Sequence, residues 1–335
     1  MMPLPSSRRL PSDGGRHSRG DVQLLFITSN RLGDAVLSTG LLGHLVERDP
    51  DVSVTVACGP VAADIFECVP GLRRVIALRK QPWAGHWRGL WRQTFAIRWD
   101  EIVDLRSSPM THVLRGRRKL VRRKAGEGHR VASLAHWYGL EAVPPPRLWS
   151  NARHADAGAA MVPPGGPVLA LGPTANWQGK IWPAECFAEL ALRLTGPDGP
   201  WPGARIAVFG GPGEEALAGP VLEALPEARR IDLVGGRHLL DVAEAMRRCV
   251  MFIGNDSGLM HLSAAAQVPT LGLFGPSRVE HYAPWGPACE AVTTAIPYDG
   301  LFGPGYDRHT TGTLMGTLSV DMAEAGVRRL LERLA

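Results

Sequence analysis

No part of the sequence approaches the roughly 20 consecutive apolar residues that a membrane-spanning helix requires. Its longest apolar runs, such as Val22 to Thr28 and Val250 to Ile253, are strand-sized. The first 20 residues carry arginines but no apolar core, so we expect a flexible basic leader there rather than a secretory signal. Cysteine is scarce: Cys58, Cys68, Cys186, Cys249 and Cys289 are scattered, odd in number and without a C-x-x-C pair. That argues against a disulfide frame or a zinc site and for a reducing cytoplasm. A G-x-G-x-x-G fingerprint after the first strand is also missing, since R-L-G-D-A-V offers a single glycine. This disfavours a nucleotide-dependent oxidoreductase. No D-x-D pair stands where it could hold a metal.

The chain of 335 residues is too long for one ordinary core and suits two domains. With 45% hydrophobic and 21% charged residues it has ordinary globular composition. The net charge of +5 is uneven: residues 1–20 carry +3, residues 113–130 carry +7, and the remainder carries −5. Charge confined to two places fits a local anion site and speaks against a nucleic-acid-coating surface.

Strand-like and helical patterns alternate along both halves. V-Q-L-L-F-I-T (22–28) reads as a strand buried on both faces, followed by a helix over 35–47. Strands at 53–57, 75–78 and 101–105 alternate with helices from about 60 and in the 86–97 region. The stretch 143–167, rich in Pro, Ala and Gly, reads as an irregular segment, with the linker placed at 151–167. Strands follow at 168–172, 205–211, 231–235, 250–254 and 269–275, separated by helices over 183–194, 214–225, 239–248 and 257–266. A C-terminal amphipathic helix covers 321–335. The expected architecture is α/β: two Rossmann-like, doubly wound domains, 21–150 and 168–320, facing across a cleft at the carboxyl ends of their strands.

The chemistry-bearing strings all sit at such strand ends. G-N-D-S-G-L-M-H-L (254–262) places Asp256, Ser257 and Gly258 where a helix begins, with His261 one turn on. Free N–H groups and the helix dipole suit a phosphate there, although an ordinary N-cap would use the same residues. G-P-S (275–277) adds a second open turn. G-P-T-A-N-W-Q-G-K (172–180) offers Thr174 and Lys180, the latter either a diphosphate ligand or a solvated lysine. G-G-P-G-E-E (210–215) brings Glu214 and Glu215 within reach of ribose hydroxyls. S-N-R-L-G-D (29–34) puts Asp34 at the mouth of the first strand, as a proton acceptor or as an acid favoured by the helix dipole. Gly33, costly within a helix, points towards function rather than packing.

Taken in order from about 22 to about 290, these strings, with V-D-L-R-S-S (103–108), K-I-W-P (180–183) and L-F-G-P-S (273–277), resemble glycosyltransferase family 9. Its best-known members are ADP-heptose:lipopolysaccharide heptosyltransferases. The resemblance implies a GT-B fold and an inverting, metal-independent transfer without cofactor. It also implies a cytoplasmic location, peripheral on the inner membrane. Asp34 would then be the general base and Lys180 would hold the donor diphosphate. Glu215 or its neighbour Glu214 would hold the ribose, and Asp256, Ser257, Gly258 and His261 the donor's phosphates and sugar. The expected partners are a nucleotide-sugar donor, ADP-heptose by default, a lipid-linked or phosphorylated saccharide acceptor, and the membrane surface, with no nucleic acid. Trp177 departs from the heptosyltransferase pattern, and a different donor sugar or a catalytically silent homologue are the alternatives.

Two features fall outside the motifs. Arg106, Arg115, Arg117, Arg118, Lys119, Arg122 and Arg123 cluster in the acceptor half, where they suit a phosphorylated acceptor or form a solvated basic loop. Trp83, Trp87, Trp91 and Phe95 recur every four residues beside Arg88 and Arg92, a stripe that reads as core packing or as a membrane-touching face.

Overall fold

The computed structural model describes residues 22–124, 126–303 and 305–335; the leader expected over 1–20 lies outside the described residues. Strand β1 (Val22–Ile27) leads into helix α1 (Leu32–Arg48) and then β2 (Val52–Cys58). After these come β3 (Leu72–Ala77), α2 (Gly85–Thr94), β4 (Trp99–Asp104), the short turn α3 (Met110–Val113), β5 (Gly116–Val121) and α4 (Arg130–Tyr138). The strands form one parallel sheet in the order β3-β2-β1-β4-β5. Central β1 is flanked on both sides, and Leu24, Leu25, Phe26 and Ile27 are all buried, as a continuous apolar run predicts.

The second half opens with α5 (Ala152–Met161), then β6 (Val168–Gly172), α6 (Ala184–Leu194), β7 (Arg205–Gly210) and α7 (Glu215–Ala224). Next are β8 (Arg230–Val234), α8 (Leu239–Met246), β9 (Met251–Asn255), α9 (Gly258–Ala265), β10 (Thr270–Phe274), the turn α10 (Val279–Tyr282), β11 (Cys289–Thr293) and α11 (Val320–Leu334). Its parallel sheet runs β11-β10-β9-β6-β7-β8. Together the two sheets make the paired α/β arrangement expected.

In each sheet the strand order reverses once, between β1 and β4 and between β6 and β9. Ligands of open parallel sheets lie at such reversals, outside the carboxyl ends of the strands. Beyond β1, Asp34 lies in the first turn of α1, and the loop after β4 carries Arg106; the loops after β6 and β9 carry Lys180 and Asp256. Topology alone therefore brings two of the expected strings to each side of one crevice.

Several elements differ from expectation. The helix foreseen from residue 60 is two 3-10 turns, Pro60–Ala62 and Asp64–Phe66, with a proline opening the first. Strand β5 lies inside the basic stretch, where Arg117, Arg118 and Lys119 in succession hide the strand pattern; as the sheet's edge it tolerates them. The stretch foreseen as irregular holds the ten-residue helix α5, capped by Asn151, whose side chain accepts the His154 N–H. Prolines and glycines bound that segment, but between them 152–161 is alanine-rich and free of proline. Helix α5 packs on α8, with Gly158 lying against the backbone of Glu244 and Ala245.

Candidate active site

A cleft of about 980 Å³ lies between the two sheets' carboxyl edges. One wall is Asn30 to Asp34. The other is drawn from the loops after β6, β7, β9 and β10 and from residues 298–308.

Helices α1 and α9 meet across this crevice, start to start. A side chain at Gly33 would come within 2.8 Å of the His261 ring, and one at Gly258 within 2.8 Å of Leu32 Cβ. Each glycine thus leaves room for a residue of the opposite domain. Packing explains Gly33, contrary to the expectation that it could not, and much of the space beside Gly258 belongs to Leu32 rather than to a ligand.

On the C-terminal wall the polar groups are mostly committed. Lys180 Nζ donates to Asp256 Oδ2 at 2.5 Å, and the Asp256 side chain is only 8% exposed. Asn255 is fully buried: its amide donates to Pro173 O at 2.8 Å and its carbonyl accepts the Trp182 N–H at 3.1 Å. That pair of bonds ties the loop carrying Lys180 to the end of β9. Glu214 accepts from Thr174 Oγ1 at 2.5 Å and from Gly211 N–H at 2.7 Å, joining the loops after β6 and β7. Glu214 lines the cleft, whereas Glu215 is exposed outside that lining and accepts from Gly213 N–H.

Two polar atoms here have no protein partner. Ser257 stands at the N-cap of α9 without making a capping bond, and its hydroxyl is buried and unpaired. His261 Nδ1 is likewise buried and unpaired, while its Nε2 lies 3.8 Å from Asp256 Oδ1. Burial pulls the His261 pKa down to about 4, only partly offset by the Asp256 carboxylate, so the ring is neutral at neutral pH. The start of α9 therefore presents backbone N–H groups, the Ser257 hydroxyl, a neutral imidazole and the Asp256-paired Lys180 ammonium to the same cleft, an arrangement suited to an anion.

The N-terminal wall is sparser. Of the lining carboxylates, Asp256 and Glu214 are engaged as described, while Asp34 has a single 3.5 Å contact from Ser29 Oγ. Arg122 lies close enough for its charge to interact with Asp34, donates to Ser133 Oγ at 2.7 Å and leaves its Nε unpaired. Arg106 stacks over Trp87 at 4.9 Å and also has an unpaired N–H. Burial works against the charge of both guanidiniums. The loop that carries Arg106 is set by fully buried Asp104, which accepts from Arg106 N–H, Ser108 N–H and Thr111 Oγ1.

The other basic candidates lie apart from these. Arg117 and Arg118 sit towards the opposite end of β5, paired with Asp100 and Glu101 respectively. Arg118 also donates to Tyr138 Oη. Arg115, Lys119 and Arg123 are exposed. Positive charge is moreover not confined to two places, as the regional sums suggested. Residues 68–99 hold seven arginines and lysines and no acid, which an acid-rich remainder conceals.

Sequence reasoning missed an aromatic wall. Tyr298, Phe302 and Tyr306 line the cleft beside Trp177, with ring centroids 5.0, 4.9 and 6.4 Å apart in succession. Trp177 Nε1 donates to Arg308 O, and Arg308 lies over the Trp177 ring at 5.0 Å. The only signal was the four-residue spacing of three aromatics within a Gly- and Pro-rich loop, which resembles no helix. Two clusters of metal-ligating type, His154–His238–Asp241 and Asp64–Glu67–His238, lie outside the cleft lining. They are bonded among themselves, with His154 Nδ1 to Asp241 at 2.5 Å and His238 Nε2 to Glu67 at 3.1 Å.

Comparison with known proteins bears on this geometry directly. The family model for glycosyltransferase family 9 (heptosyltransferase) matches residues 129–299, half of the chain. The chain belongs to glycosyltransferase family 9. The matched stretch includes Lys180, Glu214 and the whole start of α9, but not Asp34. Lipooligosaccharide heptosyltransferase 2 of Haemophilus influenzae is 31% identical over 122 residues, 35% of this chain and 34% of that protein. The chain thus spans about a third of the length of that curated relative. Lipopolysaccharide heptosyltransferase 1 of Pseudomonas aeruginosa is 26% identical over 294 residues, covering 77% of this chain and 79% of the relative. Among solved structures, E. coli ADP-heptose lps heptosyltransferase II superposes with a TM-score of 0.73 at 19% identity, covering 94% of this chain and all of that one. At that identity the likeness establishes the fold, GT-B, which the two facing sheets display.

Proposed function

We propose that this family 9 member is an inverting glycosyltransferase that moves a sugar from a nucleoside diphosphate to an acceptor hydroxyl, with Asp34 as the general base. The observation that carries the reading is the contrast between one loosely held carboxylate and an anion-ready helix start on opposite walls of the same cleft. In a single displacement the acceptor oxygen attacks the anomeric carbon as the bond to the diphosphate breaks. The hydroxyl proton passes to Asp34 and the nucleoside diphosphate departs. Charge then grows on the leaving phosphate, where the α9 N–H groups, Ser257 and Lys180 would receive it without reorganisation. These groups supply what a metal would otherwise supply. Glu214 would take a ribose hydroxyl. Arg106 and Arg122, with their unpaired N–H groups, suit a phosphorylated acceptor such as a lipopolysaccharide core. The names of the relatives favour heptose from ADP-heptose, and the family resemblance implies a cytoplasmic enzyme at the inner-membrane face.

The aromatic wall supports a second reading, another nucleotide sugar in the same site. Three of its four rings lie at or beyond residue 298, where the family match ends at 299. Calorimetric titration with ADP, UDP and GDP separates the two readings. Selective ADP binding and release of ADP from ADP-heptose sustain the first; selective UDP or GDP binding sustains the second. If none of the three binds, the transferase reading fails.

A further inference from the structure

We infer that the protein docks on an anionic lipid surface through the turn and helix that follow β3, residues 79–98. The inference rests on the inner-membrane location of the proposed function and names the surface that would meet lipid; because binding to lipid is read without turnover, its failure and that of the transferase reading are distinguishable.

Three observations carry it. The first is exposure of the wrong kind of side chain for water. Trp83 is 92% exposed at the head of α2, and Trp91 and Phe95 are exposed and stacked on each other with centroids 4.7 Å apart. Trp83 and Ala84 both hold left-handed backbone (φ 54° and 56°), so the indole stands on a projecting turn rather than folding back onto the sheet. The buried face of α2 is made instead by Leu90 and Thr94. Three rings of the stripe are turned outwards, and Trp87 alone of the four is half-buried against the core.

The second is charge. Between Glu67 and Asp100 the chain has Arg73, Arg74, Arg79, Lys80, Arg88, Arg92 and Arg98 and no acid at all. Among the described residues none of these seven forms an ion pair, although arginines elsewhere on the surface find carboxylates readily. All but Arg74 are exposed. Arg88 and Arg92, four apart on α2, lie one step round the helix from Trp91 and Phe95, so cations border the aromatic stripe. A stripe of indole and phenyl rings bordered by unpaired guanidiniums matches the interface of a bilayer, rings at headgroup depth and cations on anionic lipid. A nucleic acid would use the charges but leave Trp83 unexplained.

The third is position. Trp87, the innermost ring of the stripe, lies beneath Arg106, whose loop is at the carboxyl edge of the N-terminal sheet. Lipid bound along α2 would thus adjoin the acceptor side of the cleft, and a lipid-anchored acceptor could reach the site without leaving its bilayer. No helix among the described residues is long and apolar enough to cross a membrane, so docking is from one side.

The test is flotation of the full chain with vesicles of phosphatidylcholine alone or mixed with phosphatidylglycerol. The expected result is binding to the mixed vesicles only, weakened by salt. Arg88→Glu with Arg92→Glu should lower partitioning by about 30-fold or more, since each basic residue contributes about 1 kcal/mol at an anionic surface. Trp83→Ser with Trp91→Ser and Phe95→Ser should abolish quenching of the protein's fluorescence by brominated lipid. Thermal melting and nucleotide binding of both variants should match the parent, because every substituted residue is exposed. Failure of the parent chain to float with mixed vesicles overturns the inference, as does equal binding by both variants. Binding to duplex DNA as tight as to the vesicles overturns it too and assigns the face to a polyanion.

Discussion

The two walls of the cleft are built on opposite principles. On the C-terminal wall the charged groups are paired, Lys180 with Asp256 and Glu214 with Thr174 and Gly211, and Asn255 is bonded to two loops, while the Ser257 hydroxyl and His261 Nδ1 at the head of α9 are left without a partner. On the N-terminal wall Asp34 is loosely held, and Arg106 and Arg122, outside the cleft lining, each keep a buried N–H without a partner. Loops bonded to one another in this way are held in place before a ligand arrives, which would suit the proposed diphosphate, received in one geometry. A wall with unmet hydrogen bonds carries a standing cost that a bound ligand removes. On the proposed assignment, the loops of the donor side are tied together beforehand and the carboxylate of the acceptor side is not.

Substitutions can break or sharpen this contrast. The largest effect should come from Asp34→Asn, with kcat falling by about 10²- to 10⁴-fold. Calorimetry should show nucleotide affinity unchanged, because Asp34 takes no part in the opposite wall; loss of both together would end the division of labour. Lys180→Met comes next. It strands the Asp256 carboxylate, and should cost about 3 kcal/mol in urea unfolding as well as nucleotide affinity. Adding Asp256→Asn should restore much of the stability and none of the affinity, which separates the structural half of the pair from the binding half.

A smaller effect concerns pH. The folded-state pKa of His261, about 4, lies below that of an unfolded histidine, near 6.5, so the unfolded chain binds the proton more readily between these values. The stability this histidine contributes is complete above pH about 6.5 and is lost as pH falls towards about 4. Urea melts of parent and His261→Asn across that window should converge at the acid end; parallel curves would show that His261 does not titrate there. Smallest is the contrast between two arginines of the basic stretch. Arg122→Gln should raise the acceptor KM several-fold with kcat little changed, while Arg117→Gln, at the far end of β5, should leave both unchanged. Equal effects would return the whole stretch to the acceptor.

What could be read from the sequence depended on how local the signal was. Strands such as 22–28 and 168–172 are buried on both faces, so their apolar runs announce them without knowledge of neighbours. Lys180, Asp256, Ser257 and His261 sit in strings whose order already places them at strand ends. Residues whose meaning depends on the other domain could not be read in this way. Gly33 looked functional because the His261 ring that fills the space beside it is 228 positions away. The aromatic stripe looked like core because four-residue spacing cannot tell which side of a helix the sheet covers. Strand β5 was hidden because an edge strand needs no apolar alternation.

The reciprocal fit of Gly33 with His261 and of Gly258 with Leu32 has a mechanical meaning. Each domain supplies both a notch and the peg for the other's notch, at the very starts of the two helices that bear the proposed base and the proposed anion site. Any widening of the cleft that preserves this contact must turn about it. The rim could then swing while the span between Asp34 and the head of α9 stays nearly constant, so that in the proposed transfer the joint would act as a gauge for the distance over which the sugar is passed.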